Sequence, residues 1–298
     1  MTLADAIRYA IIASMMLLVF VVGLRSTFPD LLYLFRRPRL LARVLLAMNV
    51  VFPLLVALLV MTFRLRPPVE IALIALAVSP VPPFLPGKQL KLASAEGFTI
   101  GLFAATALLA PILVTATMAL VERLGVGGEH VRVGPIAGIV TGTVLMPVVV
   151  GVLVRRFWPR GAARIQSAIT IVAVVMLVAA LVPVLISQWP AIRSLLGDGT
   201  LAAIVAATLL GLAVGHLLGG PQAEDRTTLA LATASRHPAV AMAVAAASFP
   251  EEKLVAPAVL LALLTTALAT TPYVVWQKRI HRDFGSGSPT RAATNVPR

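Results

Sequence analysis

The sequence contains no cysteine and few charged residues. With zero cysteines among 298 residues, disulfides, thiolate metal ligands and cysteine nucleophiles are excluded. Charged residues make up 12% of the chain and hydrophobic residues 59%, whereas soluble proteins average about 25% and about 45–50%. The sequence therefore predicts a protein that lies in a lipid bilayer. Its net charge of +13 then bears on membrane orientation, and we expect no nucleic-acid partner.

Carboxylates are missing from the middle of every long apolar segment. The twelve acidic residues all fall near segment ends or in connections. The four histidines stand apart, and no H-E-x-x-H motif or carboxylate pair offers metal ligands or an acid and a base. We therefore expect no enzyme, no cofactor and no metal site. A cation/proton antiporter, which needs midplane aspartates, is also disfavoured.

Nine segments are long and apolar enough to cross a bilayer, for which a helix needs roughly 20 residues. The predicted spans are 7–24, 39–63, 69–93, 97–121, 131–155, 163–187, 198–218, 226–248 and 253–276. They leave only short polar connections, so we predict one all-α integral membrane domain over residues 1–276. Residues 277–298 are basic and rich in Gly, Ser and Thr, which predicts a disordered cytoplasmic tail.

Lysine and arginine are distributed unevenly between the two sets of connections. One set carries about twice as many as the other, and the positive-inside rule places the richer set in the cytoplasm. This predicts an N-terminus outside and a C-terminus inside. The first segment lacks the basic start and small-residue cleavage site of a signal peptide, so we expect a retained first span in a bacterial inner membrane.

Two of the predicted spans are interrupted by proline. Four prolines lie between residues 80 and 86 of the third span, and Pro238 lies near the middle of the eighth. An interior proline removes a backbone donor and breaks the helix. The two spans are five apart and cross in opposite directions, which predicts an inverted repeat in which spans 1–4 mirror spans 6–9. Paired breaks near the midplane indicate the binding site of a transporter.

Basic and polar side chains lie at both breaks. Lys88 and Lys91 at the first, with Arg236 and His237 at the second, add positive charge to inward-pointing helix N-termini, which favours an anionic substrate. For Lys91 an alternative is equally open, because its long side chain can extend along the helix and place the ammonium group at the inner membrane surface. Four further polar residues are candidates to hydrogen-bond the substrate. Each could equally hydrogen-bond an unpaired backbone group or a neighbouring helix: Gln89, Ser235, Thr233 and Asn49.

Several runs of the chain resemble the bile acid:sodium symporter family. They are PPVEIALIALAVSPVPPFLPGKQLKLASAEGFTIGLFAATALLAPILV, FRRPRLLARVLLAMNVVFPLL and TLALATASRHPAVAMAVAAASF. The resemblance extends from about residue 10 to about residue 276. It implies a panel domain and a core domain, with the two broken helices crossing in the core. It also implies a transporter that moves small organic anions by alternating access.

The residues that hold sodium in the family are replaced in this sequence. An ungapped comparison places Gly87 and Lys88 on the Ser-Asn of the first break, and Arg236 and His237 within the acidic and amide motif of the second. Met48 stands where the family has a glutamine. Sodium prefers several oxygen ligands, and none of these side chains supplies one. We therefore predict sodium-independent transport with Lys88 in place of the ion, and a proton is a candidate coupling ion.

Three alternatives remain open at this point. An anion channel or an uncoupled facilitator would use the same cationic residues, because a cationic constriction also selects ions in pores. A sodium-coupled symporter would need backbone carbonyls as ligands. In each case the expected partners are a small organic anion and the lipid bilayer.

Overall fold

The structure is a computed structural model that describes residues 3–83, 96–123 and 134–285. Within these ranges it consists of helices joined by short connections. The helices are α1 (Leu3–Arg25), α2 (Phe28–Tyr33), α3 (Pro38–Thr62), α4 (Pro67–Val78), α5 (Glu96–Arg123), α6 (134–157), α7 (Pro159–Ser194), α8 (Thr200–Leu218), α9 (Ala223–Ala234), α10 (Pro238–Ser248) and α11 (Val255–Gly285).

Seven of these helices are long and apolar enough to cross a membrane: α1, α3, α5, α6, α7, α8 and α11. The all-α membrane fold is therefore confirmed. The predicted spans 69–93 and 226–248 correspond to shorter helices. The helix α4 ends at Val78, and α9 and α10 are separated by residues 235–237, so the break predicted at Pro238 is present. Residues 84–95, which would complete the span 69–93, lie outside the described residues.

The last helix extends past its predicted end. We expected the span to stop at residue 276, whereas α11 continues to Gly285. Residues 277–285, assigned from composition to the tail, thus prolong the helix. Lys278 and Arg279 favour this because both are good helix formers. Residues 286–298 lie outside the described residues.

Two of the spanning helices contain a π-helical turn followed closely by proline. In α3 the turn is Ala47–Val51 and Pro53 comes two residues later; in α6 it is Thr141–Leu145, followed by Pro147. Proline cannot donate to the helix and its ring crowds the preceding turn. A wider turn relieves this crowding and leaves a carbonyl without its usual partner.

The helices pack in two groups. In one, α1 lies against α6 and α7; in the other, α4 contacts α10 and α11, and α8 contacts α9 and α11. The outer surface of α7 exposes Ile171, Val175 and Ile186, as expected for side chains that face lipid. One hydrophobic core, with buried residues from both groups, contains the end of α4 and the start of α10, so both groups surround the second break.

Helix α9 is held close to α8 by glycine. A Cβ atom on Gly211 would stand 2.8 Å from Cα of Ala234, the last residue of α9, and 3.1 Å from the Phe52 ring. One turn later, a Cβ on Gly215 would overlap the backbone of Ala230. Small residues at such contacts let membrane helices approach backbone to backbone. The glycines therefore fix the position at which α9 ends and the break begins.

Candidate functional site

The connection after α4 and the break between α9 and α10 are joined by a backbone hydrogen bond. Helix α4 ends at Val78, where Ser79 is extended and Pro80 has no N–H to continue the helix. The backbone N–H of His237, in the break, donates to the carbonyl of Pro80 over 2.9 Å. Backbone polar groups at the two interruptions thus hydrogen-bond each other within the bundle. Such pairing is required where little water is present to bind them.

Arg236 occupies the meeting point of three helices. Its side chain is only 6% exposed. The Nε atom donates to the carbonyl of Leu76 over 3.3 Å, and Nη2 donates to the carbonyls of Met48, over 2.9 Å, and Ala77. The guanidinium carbon lies 5.4 Å from the ring centre of Phe52, which is within the range of a cation–π contact. A full positive charge is therefore held by carbonyl oxygens and an aromatic face.

Two of the carbonyl groups that bind Arg236, those of Met48 and Ala77, lack a helical donor for a physical reason. In the π turn of α3, the N–H of Phe52 donates to the carbonyl of Ala47, and Pro53 has no N–H, so the carbonyl of Met48 lacks both of its helical donors. The last turn of α4 likewise leaves the carbonyl of Ala77 without a helical donor, whereas the carbonyl of Leu76 also accepts from the N–H of Ser79 over 3.0 Å. The arginine therefore caps the end of α4 and fills the gap in α3.

His237 is the N-terminal cap of α10. It is 2% exposed, and its Nδ1 atom accepts a hydrogen bond from the N–H of Val240 over 3.4 Å. Because Nδ1 accepts, the neutral ring carries its proton on Nε2. This Nε2 atom and Nη1 of Arg236 are both buried, and neither has a hydrogen-bond partner among the residues that the structure describes. Two N–H groups on adjacent residues are thus left for a ligand or water, since buried polar groups are rarely left unpaired.

The other predicted site residues have more ordinary positions. Thr233 is buried and its hydroxyl donates to the carbonyl of Leu229 within α9 over 2.7 Å. Ser235 is half-buried and its N–H ends α9 through a bond to Leu231. Asn49 lies in the π turn of α3, half-buried, where its carbonyl accepts a bond from Thr117 over 3.2 Å.

Three predicted site residues cannot be placed. Lys88, Gln89 and Lys91 fall in residues 84–95, outside the described residues. The structure therefore unites Arg236 and His237 with the end of α4, and the predicted roles of the two lysines stay predictions.

A cavity of about 190 Å³ borders the break. Its wall is apolar apart from Gln188, and it lies where α1 and α7 face α10 and α11. Pro238, the residue after the histidine cap, is part of this wall. The lining residues are Ile11, Met15, Leu177, Leu181, Val184, Gln188, Pro238, Met242, Ala256, Leu260 and Leu263. A small cavity at the junction of the two helix groups therefore reaches Pro238, the first residue after the break, and neither Arg236 nor His237 is among its lining residues.

No cluster of metal-binding side chains occurs in the part of the chain that the structure describes. Over residues 3–83, 96–123 and 134–285 there is no group of three His, Asp or Glu side chains that could hold a metal ion.

The most important partners of Arg236 are backbone carbonyls, which sequence reasoning missed. Pro53 was the available signal, because a proline inside a span frees a carbonyl on the preceding turn.

The helical architecture defines a class: a multi-pass membrane protein built from apolar helices. The comparison with protein families is more specific. A model described as the sodium bile acid symporter family matches residues 12–194. The chain belongs to this family, whose members are membrane transporters, so the resemblance seen in the sequence is confirmed. No curated protein matches the chain.

Proposed function

We propose that the protein is a secondary transporter of small organic anions that works without sodium. The observation that carries this proposal is the guanidinium of Arg236, held by the carbonyls of Met48, Leu76 and Ala77 where the breaks meet. Carbonyl oxygens are the ligands that a hard cation would use here. In this chain a permanent side-chain cation already binds them.

The absence of acidic groups around Arg236 supports the same proposal. A sodium ion released from water needs several oxygen ligands, and a carboxylate to offset the cost of dehydration. Among its contacts in the described part of the chain, Arg236 has only carbonyl oxygens and the Phe52 ring. We propose that Lys88, at the first break, supplies a second fixed charge.

The unpaired donors support an anionic substrate. Arg236 Nη1 and His237 Nε2 are two buried N–H groups at the start of α10, where the helix dipole is positive. A carboxylate accepts two such bonds at once. The apolar cavity beside Pro238 then suits the hydrocarbon part of a small organic acid, and Gln188 suits a polar substituent.

We further propose nine spans, with α4 completed by residues up to 93 and α9 with α10 forming one broken span. In this topology the N-terminus is outside and the C-terminus is in the cytoplasm of a bacterial inner membrane. Helices α1, α6 and α7 would form the panel, and the group containing α4, α8, α9, α10 and α11 would form the core of an inverted repeat. Relative movement of the two groups would open the cavity to each side in turn.

The test is uptake of a panel of labelled organic acids into proteoliposomes that contain the full-length protein. We expect saturable uptake that is unchanged when sodium is replaced by N-methylglucamine, and faster exchange when the vesicles are preloaded with unlabelled substrate. A pH gradient is the next variable, because a proton is the remaining candidate for coupling. Uptake that requires a sodium gradient would refute the proposal, and flux without saturation or exchange would indicate a channel.

Lysine variants sharpen the same test. Lys88→Ala should lose uptake, whereas Lys253→Ala should not, because Lys253 is an exposed lysine in the connection before α11. Equal uptake by both variants would remove Lys88 from the mechanism.

A further inference from the structure

A second cavity lies where α3 and α9 begin, and neither break contributes to it. Its volume is about 470 Å³. Its walls come from the connection between α2 and α3, the first turns of α3, and the connection into α9. The lining residues are Arg37, Pro38, Arg39, Leu40, Arg43, Pro221, Gln222 and Asp225.

Three arginines give this cavity its charge. Arg37 is held in place by Tyr33, because its guanidinium donates to the phenol oxygen and lies 4.0 Å from the ring centre. Arg39 and Arg43 are four residues apart in α3 and therefore share one face of that helix. In the described part of the chain, none of the three arginines has a carboxylate oxygen within 4 Å. The salt bridge found there joins two other residues, Arg66 and Asp198.

One buried carboxyl group faces the arginines. Asp225 lies in the first turn of α9, before the predicted span 226–248, and is 4% exposed. Burial raises the pKa of its carboxyl group to about 6, although Arg37 opposes the shift and the neighbouring Glu224 adds to it. Arg226 is engaged elsewhere, because its Nε atom donates to the carbonyl of Gly220 over 2.7 Å.

We infer that this cavity is a binding site for a phosphate-bearing anion, either the headgroup of an acidic phospholipid or a free phosphate compound. The fork of an arginine matches the oxygens of a phosphate, and three forks around one cavity can bind several of them. With Asp225 ionised, the wall keeps two net positive charges, which balance a phosphate. Basic pockets between membrane helices commonly bind lipid headgroups in this way.

The chain offers a matched control for the test. Arg39 and Arg43 follow the proline that begins α3, and Arg160 and Arg164 follow the proline that begins α7 with the same four-residue spacing. All four side chains are exposed, but only the first pair lines the cavity. The two double variants, each with both arginines changed to glutamine, therefore remove the same charge from similar helix starts.

The experiment is native mass spectrometry of the full-length protein released from nanodiscs that contain phosphatidylglycerol or phosphatidylcholine. We expect retained phosphatidylglycerol on the wild type, and about 25-fold weaker retention after R39Q/R43Q, since each arginine near an anionic lipid contributes a factor of about five. R160Q/R164Q should retain phosphatidylglycerol like the wild type. Equal losses in both double variants, or no loss in either, would overturn the inference.

Inorganic phosphate distinguishes the two sources. If millimolar phosphate raises the melting temperature of the wild type in detergent and not that of R39Q/R43Q, the site accepts a free anion. If phosphate has no effect while phosphatidylglycerol is retained, the ligand is a lipid headgroup. The site would be refuted if phosphate gave no protection and phosphatidylglycerol was not specifically retained.

An Asp225 variant keeps the inference falsifiable even if the arginine variants fold poorly. Asp225→Asn removes the carboxylate that faces the anion, so it should strengthen phosphatidylglycerol retention at pH 7. In the wild type, retention should rise as the pH falls from 7 to 5, because protonation of Asp225 removes the same negative charge. The inference fails if the Asn variant binds more weakly, or if its pH dependence equals that of the wild type.

Discussion

Replacement of Arg236 by methionine is the most direct test of a built-in cation. Methionine is unbranched, shorter than arginine and has no donors, so the carbonyls of Met48, Leu76 and Ala77 would each lose a bond to a charged group. Such bonds contribute about 1.5–3 kcal/mol each, but relief from burying the charge offsets part of the loss. We expect a net cost of about 3–5 kcal/mol, the usual result of removing one member of a buried charged group.

The assay is thermal unfolding of the purified full-length protein, with sodium chloride compared against N-methylglucamine chloride at equal ionic strength. At about 2 °C per kcal/mol for a chain of this size, Arg236→Met should lower the melting temperature by about 6–10 °C. Sodium should partly restore it, because the three carbonyls then have no cation. The wild type should melt at the same temperature in both salts.

Two further variants isolate the cause. Arg236→Lys keeps the charge and should recover part of the stability, since an ammonium group has three donors but cannot reach all the carbonyls as a fork does. Arg226→Met removes an arginine that also binds carbonyls but is only half-buried, and it should cost much less. The reasoning is refuted if Arg236→Met is as stable as the wild type, or if sodium stabilises the wild type instead.

Three other predictions concern the break, the helix contact beside it and the second cavity. His237→Asn should keep the cap and lose uptake, whereas His237→Ala should also lose about 1 kcal/mol of stability, as melting and transport assays would reveal. Gly211→Ala should cost about 1–3 kcal/mol because the new Cβ meets Ala234, while Gly138→Ala, in open space, should be neutral or slightly stabilising in the same melting assay. Burial raises the pKa of Asp225 from 3.8 to about 6, so the folded state binds the proton of this carboxyl group more tightly than the unfolded state does. The melting temperature should therefore fall as the pH rises from about 4 to about 6, and Asp225→Asn should abolish that fall.

The broad architecture could be predicted from the sequence because membrane helices leave strong local signals. Length and hydropathy placed the long helices to within about four residues, except for the C-terminal ends of α7 and α11, since a span must be apolar along its whole length. Proline similarly predicted the break before α10, because a missing N–H acts wherever the chain folds. The extension of α11 to Gly285 was missed, because composition alone does not report how far a helix continues beyond the apolar region.

The site itself needed the tertiary structure. The sequence singled out Arg236 and His237 by charge and by their position at a break, but it gave no means of identifying the carbonyls of Met48 and Ala77 as partners. Every residue has a carbonyl, and only the π turn of α3 and the end of α4 leave these ones free.

Local residue chemistry therefore determined that the chain crosses a membrane, where it breaks and which charges lie at the breaks. The tertiary structure decided that an arginine caps one helix and fills the gap in another, since that requires three segments distant in sequence to meet. It also decided which arginine pair lines a cavity. The starts of α3 and α7 share the same spacing of proline and arginines, and only the approach of α9 distinguishes them.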